Sequence, residues 1–397
     1  MTQIARICIG TLLLLNSYAL YALELSGYLG IESLGFLQNP LFPQQHSHYL
    51  SAAIQPQLVH EWENGKQSLT FVPFFRLSQH DNRRTHFDIR ELTWLKAADT
   101  WELRTGIRKV FWGMAESQHL VDIINQTDLV ENFDMEDKLG QPMINLALIR
   151  DWGTLDLFLL PGFRERTFAG SEGHLNFPML NQGAARFEKQ GIEKHLAYAF
   201  RWSKAIAEWD MGLSYFYGTN RTPTIVPEFD PLGNLKQTVP FYENIHQTGL
   251  DVQYTKGNWQ WKLETIVRAG QGKTFVAGTG GLEYSFYNIF ESGFDIGLLT
   301  EYLYDSRGRN GQTFFQDDIM TGLRFGFNDE QSTEILASIT FDRTSNTKFY
   351  NVEASRRLGE SLKLTLEARF SSGADKNDFA FFLRQDDHIR AELSYHF

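Results

Sequence analysis

The last ten residues, HIRAELSYHF (388–397), alternate between two kinds of side chain. One face carries Ile389, Ala391, Leu393, Tyr395 and Phe397, and the other carries His388, Arg390, Glu392, Ser394 and His396. Successive side chains of a β-strand point to opposite faces, so this stretch predicts a strand with one apolar and one polar side. An ordinary C-terminal edge strand of a soluble sheet is the alternative at this point.

The same alternation recurs along the chain, whereas helical periodicity is nearly absent. In WQWKLETIVR (259–268) and SLKLTLEARF (361–370), apolar residues alternate with polar residues, many of them charged. A transmembrane β-barrel with an apolar outside and a wet lumen has this pattern. A strand of a sandwich would need a second sheet facing its apolar side.

The alternating stretches divide the chain into about eighteen strands, with about 16 as the alternative. They are 25–37, 48–62, 67–78, 85–96, 101–110, 142–150, 154–163, 193–203, 207–217, 241–255, 259–269, 273–287, 293–304, 314–327, 332–342, 348–357, 361–371 and 379–397.

The connections between these strands alternate in length. The short connections are 63–66, 97–100, 151–153, 203–206, 256–258, 328–331 and 358–361; the longer ones between them are 38–47, 79–84, 111–141, 164–192, 218–240, 305–313 and 372–378. Two connections depart from this rule. The connection 270–272 is short where a long external loop is expected, and 288–292 is irregular where a tight turn is expected. Transmembrane barrels have short periplasmic turns and long external loops, whereas sandwiches give no reason for such parity. The sequence therefore predicts an all-β fold, a transmembrane antiparallel up-and-down β-barrel.

The first residues, 1–22, have the features of a cleaved secretory signal peptide. Arg6 precedes an apolar stretch, Ile7–Leu15, and Ala19 and Ala22 are small residues suited to cleavage. The apolar stretch is too short for a membrane anchor. The prediction is a mature single-domain barrel, 23–397, without a thiol, because the only cysteine of the chain, Cys8, lies in this peptide.

The C-terminus resembles the closing strand of Gram-negative outer-membrane porin-like β-barrels, which end on Phe with apolar residues at alternate positions before it. The resemblance implies an integral protein of the bacterial outer membrane, surrounded by outer-membrane lipids and lipopolysaccharide. It also implies recognition by the barrel-assembly machinery, with Tyr395 and Phe397 as the assembly signal.

The stretch FWGMAESQHLVDIINQTDLVENF (111–133) resembles a loop of a proteobacterial outer-membrane barrel family that has no settled substrate. The matching residues are Trp112, Gly113, Glu116, Ser117, Asn125 and Asp128. The match covers one loop, and it implies a barrel and a surface location without adding to function.

The connection 111–141 is the candidate pore constriction. It resembles in position the third loop of general porins, which folds inward, and Leu120–Ile124 suggest a short helix within it. Its acids are Glu116, Asp122, Asp128, Glu131, Asp134, Glu136 and Asp137, and its only base is Lys138. The apolar residues favour inward folding, with an outward, solvated acidic loop as the alternative.

Alternation places a series of arginines in the lumen as a basic wall. They are Arg76, Arg104, Arg108, Arg201, Arg268, Arg324, Arg369 and Arg390, with Arg164 and Arg166 where the seventh strand leaves the membrane. A basic wall opposite an acidic loop would produce a transverse field that orients polar solutes. Acids also alternate into the lumen, so the wall alone predicts no strong ion preference.

The remaining patterns exclude some classes of function. A net charge of −11 without clustered bases argues against a nucleic-acid partner. The chain has neither a G-x-S-x-G nor an H-E-x-x-H motif, so we predict no enzyme activity, metal site or cofactor. The predicted function is passive or substrate-selective diffusion of small polar solutes. A channel for hydrophobic or lipid-like molecules and a surface receptor or adhesin are the alternatives, and the solute and the oligomeric state stay open.

Overall fold

The computed structural model describes residues 23–175, 179–376 and 379–397. The predicted signal peptide, 1–22, lies outside these described residues. No helix among them is long and apolar enough to cross a membrane.

Eighteen antiparallel strands form one sheet, in which each strand pairs with its neighbours along the chain and the last strand pairs with the first. The sheet is therefore a closed up-and-down barrel. Its strands are β1 (Leu23–Phe36), β2 (His48–Trp62), β3 (Gln67–Ser78), β4 (His86–Ala98), β5 (Trp101–Arg108), β6 (Gln141–Arg150), β7 (Gly153–Pro161), β9 (Leu196–Ile206), β10 (Trp209–Thr219), β13 (Asn244–Lys256), β14 (Trp259–Gly270), β15 (Gly272–Ile289), β16 (Phe294–Asp305), β17 (Asp317–Gly326), β18 (Glu334–Asp342), β19 (Lys348–Leu358), β20 (Leu362–Ser372) and β21 (His388–His396).

Shorter elements lie in the connections. A small sheet contains β8 (Arg186–Phe187), β11 (Thr224–Phe229) and β12 (Leu235–Tyr242), and the 3-10 helices are Gln182–Ala184, Gly191–Lys194, Gly308–Asn310 and Phe379–Leu383. The long connections share one end of the barrel, which we call the long-loop end. Apart from the turn at Gln271, which lies at the long-loop end, the short turns share the other end with the start of β1 near Leu23 and the end of β21 near Phe397. We call this the short-turn end.

The closure between β1 and β21 confirms the alternation predicted for the C-terminus. Ile31 pairs with Leu393 and Leu29 with Tyr395, and all four side chains are exposed on the outer face. The alternate residues of the two strands point inward. One of them is Glu32, which is 1% exposed. Closure removes the sheet edge, which would leave unpaired backbone groups in lipid.

The outer face carries apolar side chains all round the barrel, including Leu69, Leu157, Leu213, Leu263, Leu323 and Leu366. At the short-turn end, aromatic rings of β10 and β13–β15 form a continuous series of contacts. Trp209 lies 4.5 Å from Tyr254, and Trp259 lies 4.5 Å from Tyr284, measured between ring centroids. An apolar band with an aromatic girdle suits the hydrocarbon core and the interface of a bilayer.

The predicted fold class and the strand number are confirmed. Several predicted strand ends are shifted by two or three residues, among them the starts at 193, 241 and 314, and two further boundaries are wrong for a physical reason. The turn predicted at 203–206 is part of β9, because Ile206 pairs with Trp209 across a two-residue turn at Ala207 and Glu208. The last strand begins at His388 rather than at 379, since the apolar run 379–383 forms a 3-10 helix instead of alternating.

Candidate functional site

The segment that joins β5 to β6, residues 109–140, contacts inward-facing side chains on both sides of the barrel. On one side it meets Arg76 of β3 and Arg90 of β4. On the other side it meets Glu264 of β14 and Glu301 of β16, which are nearly opposite in the strand order. The 109–140 segment therefore crosses the lumen.

Two wall carboxylates hold the first part of this segment through its backbone. Glu264 accepts hydrogen bonds from the amides of Met114 at 2.6 Å, Ala115 at 2.9 Å and Val121 at 3.3 Å. Glu301 accepts from the amides of Glu116 and Ser117, each at 2.8 Å, and from the Ser117 hydroxyl at 2.6 Å. Hydrogen bonds to an ionised acceptor are about twice as strong as neutral ones, so these two acids fix the path of the chain.

Apolar side chains of the segment pack against the inner wall over β6–β15. Trp112, Val121, Ile123 and Ile124 belong to one buried cluster, and its wall members are Met143, Phe158, Leu160, Ala197, Ala199, Phe216, Ile245, Ile266, Phe275 and Ala277. These packed side chains occupy much of this side of the lumen. The short helix predicted at 120–124 is wrong, because these residues form turns and irregular chain whose amides and side chains are bound by the wall.

Six of the seven predicted acids contact a cationic partner. The pairs are Glu116 with Arg324, Asp122 with Lys138, Asp128 with Arg90, Glu131 with Arg76, Asp134 with Arg369, and Glu136 with His119. Asp137 has no ion pair among the described residues. In four of these pairs a loop acid is in direct contact with a wall arginine, and in the other two the partner, Lys138 or His119, belongs to the segment itself.

The predicted basic wall faces the lumen but does not form one patch. Arg76 and Arg390 bind Glu32, Arg201 binds Asp251 at 2.6 Å, and Arg104 binds Glu102. Arg108 donates to Asn145, and Arg164 binds Asp88 at 2.8 Å. Arg166 and Arg268 contact neutral groups only, as described below.

A network at the β1–β21 seam contains residues that sequence reasoning missed. Glu32 of β1 is bound by Arg84 at 2.5 Å, by Arg390 at 2.7 Å and by Arg76 at 3.4 Å. Arg84 also donates to the backbone oxygens of residues 130 and 131, so it joins the seam to the 109–140 segment. It lies in the connection after β3, where no strand alternation applies.

His86, Asp128 and Glu131 are the one group among the described residues whose possible metal-ligand atoms lie within 4.8 Å of one another. Arg90 already binds Asp128 at 2.7 Å, and Arg76 binds Glu131 at 2.8 Å. Two adjacent guanidinium charges disfavour a cation here. The group is an ion-pair network.

Among the groups of the segment whose pKa is shifted, His119 and Asp137 have the large shifts that decide their charge near neutral pH. Burial opposes protonation of His119, but hydrogen bonds with Glu136 and Glu264 outweigh it and raise the pKa of His119 to about 10. Burial, with the neighbouring charges of Asp134 and Glu131, raises the pKa of Asp137 to about 7. His119 is therefore positive at neutral pH, and Asp137 changes charge there.

A cavity of about 530 Å³ remains between the segment and β17–β20. The segment contributes Glu116, Phe133, Asp134 and Glu136, and the wall contributes Met320, Leu336, Ser338, Thr340, Phe349, Asn351, Glu353 and Arg369. The lining combines charged groups, hydroxyl groups and aromatic rings.

The chain is similar in structure to OccK11 (OpdR) of Pseudomonas aeruginosa, with a TM-score of 0.54 and 11% identity over 94% of this chain and 95% of that chain. Two mutants of the Rh. blastica porin give TM-scores of 0.48 at 10% identity, over 95% of this chain and 100% of theirs, which is too weak to bear on this chain. No protein-family model matches the sequence, and no curated protein matches it. The likeness to OccK11 concerns the fold alone and agrees with the predicted porin-like barrel.

Proposed function

We propose that this protein is an outer-membrane channel for small polar solutes in which the 109–140 segment forms the constriction. The observation that carries the proposal is the cavity of about 530 Å³ beside a segment whose apolar side chains pack against β6–β15. Solutes would pass between the segment and β17–β20, a part of the wall that lies beyond the apolar cluster.

The charges of the lining support a weak preference for cations. Glu116, Asp134 and Glu136 line the cavity, but each is bound to a cationic partner. Ion pairs of this kind orient polar solutes more than they select one sign of charge. Glu353 adds a further acid, which shares Arg369 with Asp134.

Thiol labelling of a single introduced cysteine tests the path. Ser338 of β18 lines the cavity, whereas its neighbour Ala337 points to the opposite face of the strand. A cationic thiol reagent should reduce the single-channel conductance of Ser338→Cys and leave that of Ala337→Cys unchanged. An unchanged conductance of the labelled Ser338→Cys protein would place the path elsewhere.

Removal of residues 117–137 tests the constriction itself. The variant should give a larger conductance in a planar bilayer, provided that heat-modifiable migration shows a folded barrel. An unchanged conductance in a folded variant would mean that the segment does not limit flow.

The aromatic lining favours a second candidate, a channel for hydrophobic or amphipathic molecules. Phe133, Phe314, Phe315 and Phe349 line the same cavity, with Phe133 and Phe314 in ring contact at 5.7 Å. Stable ohmic current steps from the purified protein would favour polar solutes. Their absence in a folded barrel would favour the second candidate.

A further inference from the structure

A second cavity, of about 220 Å³, adjoins the first, shares Phe133, Phe314 and Phe315 with it, and extends along the 109–140 segment to β14 and β15. Four arginines line it. Arg307 is bound to Asp305, and three have no such partner, namely Arg166 beyond the end of β7, Arg221 beyond the end of β10, and Arg268 near the end of β14. All three strand ends belong to the long-loop end of the barrel, so the cavity lies near that mouth of the lumen.

Arg221 is the most enclosed of the three, with 3% of its surface exposed. Its Nε donates to the carbonyl oxygen of Ile124 at 3.1 Å, and its Nη1 donates to that of Thr219 at 3.0 Å. Its Nη2 is buried and has no hydrogen-bond partner among the described residues. The guanidinium lies over the rings of Phe216 and Phe163, with its Cζ 5.2 and 5.3 Å from their centroids.

The other two arginines contact neutral groups. Arg166 donates to Oε1 of Gln126 at 3.3 Å. Arg268 is 9% exposed and donates twice to Oε1 of Gln247, at 2.6 and 2.8 Å. No carboxylate lies within ion-pair distance of Arg166, Arg221 or Arg268 among the described residues, in contrast to the arginines bound to the acids of the segment.

A chain of short contacts joins these side chains into one site. Arg166 donates to the hydroxyl of Thr222 at 3.2 Å. Gln271 donates to the carbonyl oxygen of Thr222 at 3.5 Å and accepts from Arg268 at 3.4 Å. Thr222 follows Arg221 directly, so Arg166 and, through Gln271, Arg268 are linked to the turn that contains Arg221.

Acids near the cavity are already engaged. Asp305 is bound by Arg307 at 2.6 Å, and Glu243, whose charge reaches Arg268, accepts a hydrogen bond from the hydroxyl of Thr224. The other acids of the lining are also paired, Asp122 with Lys138, Asp134 with Arg369, and Glu136 with His119. Arg166, Arg221 and Arg268 are therefore left without a directly bound carboxylate among the described residues.

Buried cations without a counter-charge are costly in free energy, so a bound anion would stabilise this arrangement. Burial lowers the pKa of Arg221 to about 9 and that of Arg166 to about 10, which leaves both groups positive at neutral pH. The planar guanidinium group presents parallel N–H donors whose spacing matches the oxygens of a carboxylate or a phosphate.

We infer that this cavity binds a small oxyanion, a carboxylate or phosphate group, through Arg166, Arg221 and Arg268. The group can come from free inorganic phosphate or from the acid group of a larger solute. The inference does not depend on the proposed channel function, because binding can be measured on the folded protein in detergent without any passage of solute.

Calorimetric titration with inorganic phosphate and with benzoate, as separate probes, tests the site. At least one probe should bind the wild-type barrel. Binding of phosphate alone would indicate the free ion, and binding of benzoate would indicate the acid group of a solute. No binding of either probe would overturn the inference.

Substitutions then locate the site. Arg221→Gln should weaken binding about tenfold or more, because the positive charge and the free Nη2 donor are lost. Arg324→Gln is the matched control, since Arg324 faces the lumen but is bound to Glu116, and binding should be unchanged. Equal affinity of the wild type and Arg221→Gln would refute the assignment.

The unmodified protein provides a test that does not depend on the folding of a variant. Crystals soaked in selenate should give an anomalous peak within hydrogen-bonding distance of Nη2 of Arg221. A selenate-soaked crystal with no peak in this cavity would overturn the inference.

Discussion

Neutralising Glu264 should loosen the 109–140 segment without changing the barrel. Its carboxylate accepts three backbone hydrogen bonds from the segment, from Met114, Ala115 and Val121, and it is fully buried. A hydrogen bond to a charged group contributes roughly 1.5–3 kcal/mol and a neutral one about 0.5–1.5 kcal/mol. Glu264→Gln keeps an acceptor but removes the charge, so each bond loses about 1 kcal/mol and the three lose about 3 kcal/mol.

Hydrogen exchange of the backbone amides measures this loss directly. Amides that exchange by local opening should exchange roughly 100-fold faster over 113–121, because each 1.4 kcal/mol is about a factor of ten. Glu283→Gln is the control, since Glu283 contacts the wall cations Arg324 and Lys262 but no amide of the segment. Equal exchange in wild type and Glu264→Gln would refute the view that this carboxylate holds the segment.

A second readout follows from the same change. Glu264 is one of the two acids that raise the pKa of His119 to about 10. Its neutralisation should lower that pKa, which NMR titration of the histidine can follow. A pKa that stays near 10 in Glu264→Gln would assign the shift to Glu136 alone.

Four further outcomes are expected. Protease added to intact cells should cleave within 162–195 and spare 63–66, and cleavage at 63–66 would reverse the orientation. Leu366 lies on the outer face, so Leu366→Arg should lower the free energy of unfolding by about 2–4 kcal/mol near the bilayer centre. Thr365 faces inward, so Thr365→Arg should be tolerated. Equal refolding stability of the two variants would contradict the register of β20. Deletion of Phe397 should slow assembly, measured as the yield of heat-modifiable barrel, and a normal yield would argue against its role as a signal. Because the pKa of Asp137 is about 7, its carboxyl group becomes negatively charged as the pH rises through neutrality. Reversal potentials should therefore shift towards cation preference between about pH 6 and 8. The shift should be absent in Asp137→Asn, and its persistence there would assign it to another group.

The barrel could be predicted from the sequence because both of its signals are local. Alternation depends on the two faces of each strand, and loop parity depends only on the lengths between strands. The errors lie where these signals stop. The run 379–383 has apolar residues at nearly every position, and periodicity alone does not assign such a run to a strand.

The arrangement inside the lumen could be predicted only in part. Alternation identified Arg76 and Arg369 as inward-facing. Their acid partners in the 109–140 segment lie 55 and 235 positions away in sequence, and no periodicity encodes such pairs. Arg84 and Arg221 were missed because they lie in connections. Ion pairs between residues far apart in sequence can be assigned only from the three-dimensional structure of the closed barrel.

Glu32 has a consequence for the order in which the chain folds. Its partners come from the third strand, the connection after it and the last strand, and one of them, Arg84, also holds the backbone of the 109–140 segment. The complete set of contacts therefore forms only when the last strand has arrived and the segment is inside. Closure of the barrel wall and insertion of the segment into the lumen are thus coupled. In a partly assembled chain, the carboxylate of Glu32 would lack some of its partners and would stay hydrated.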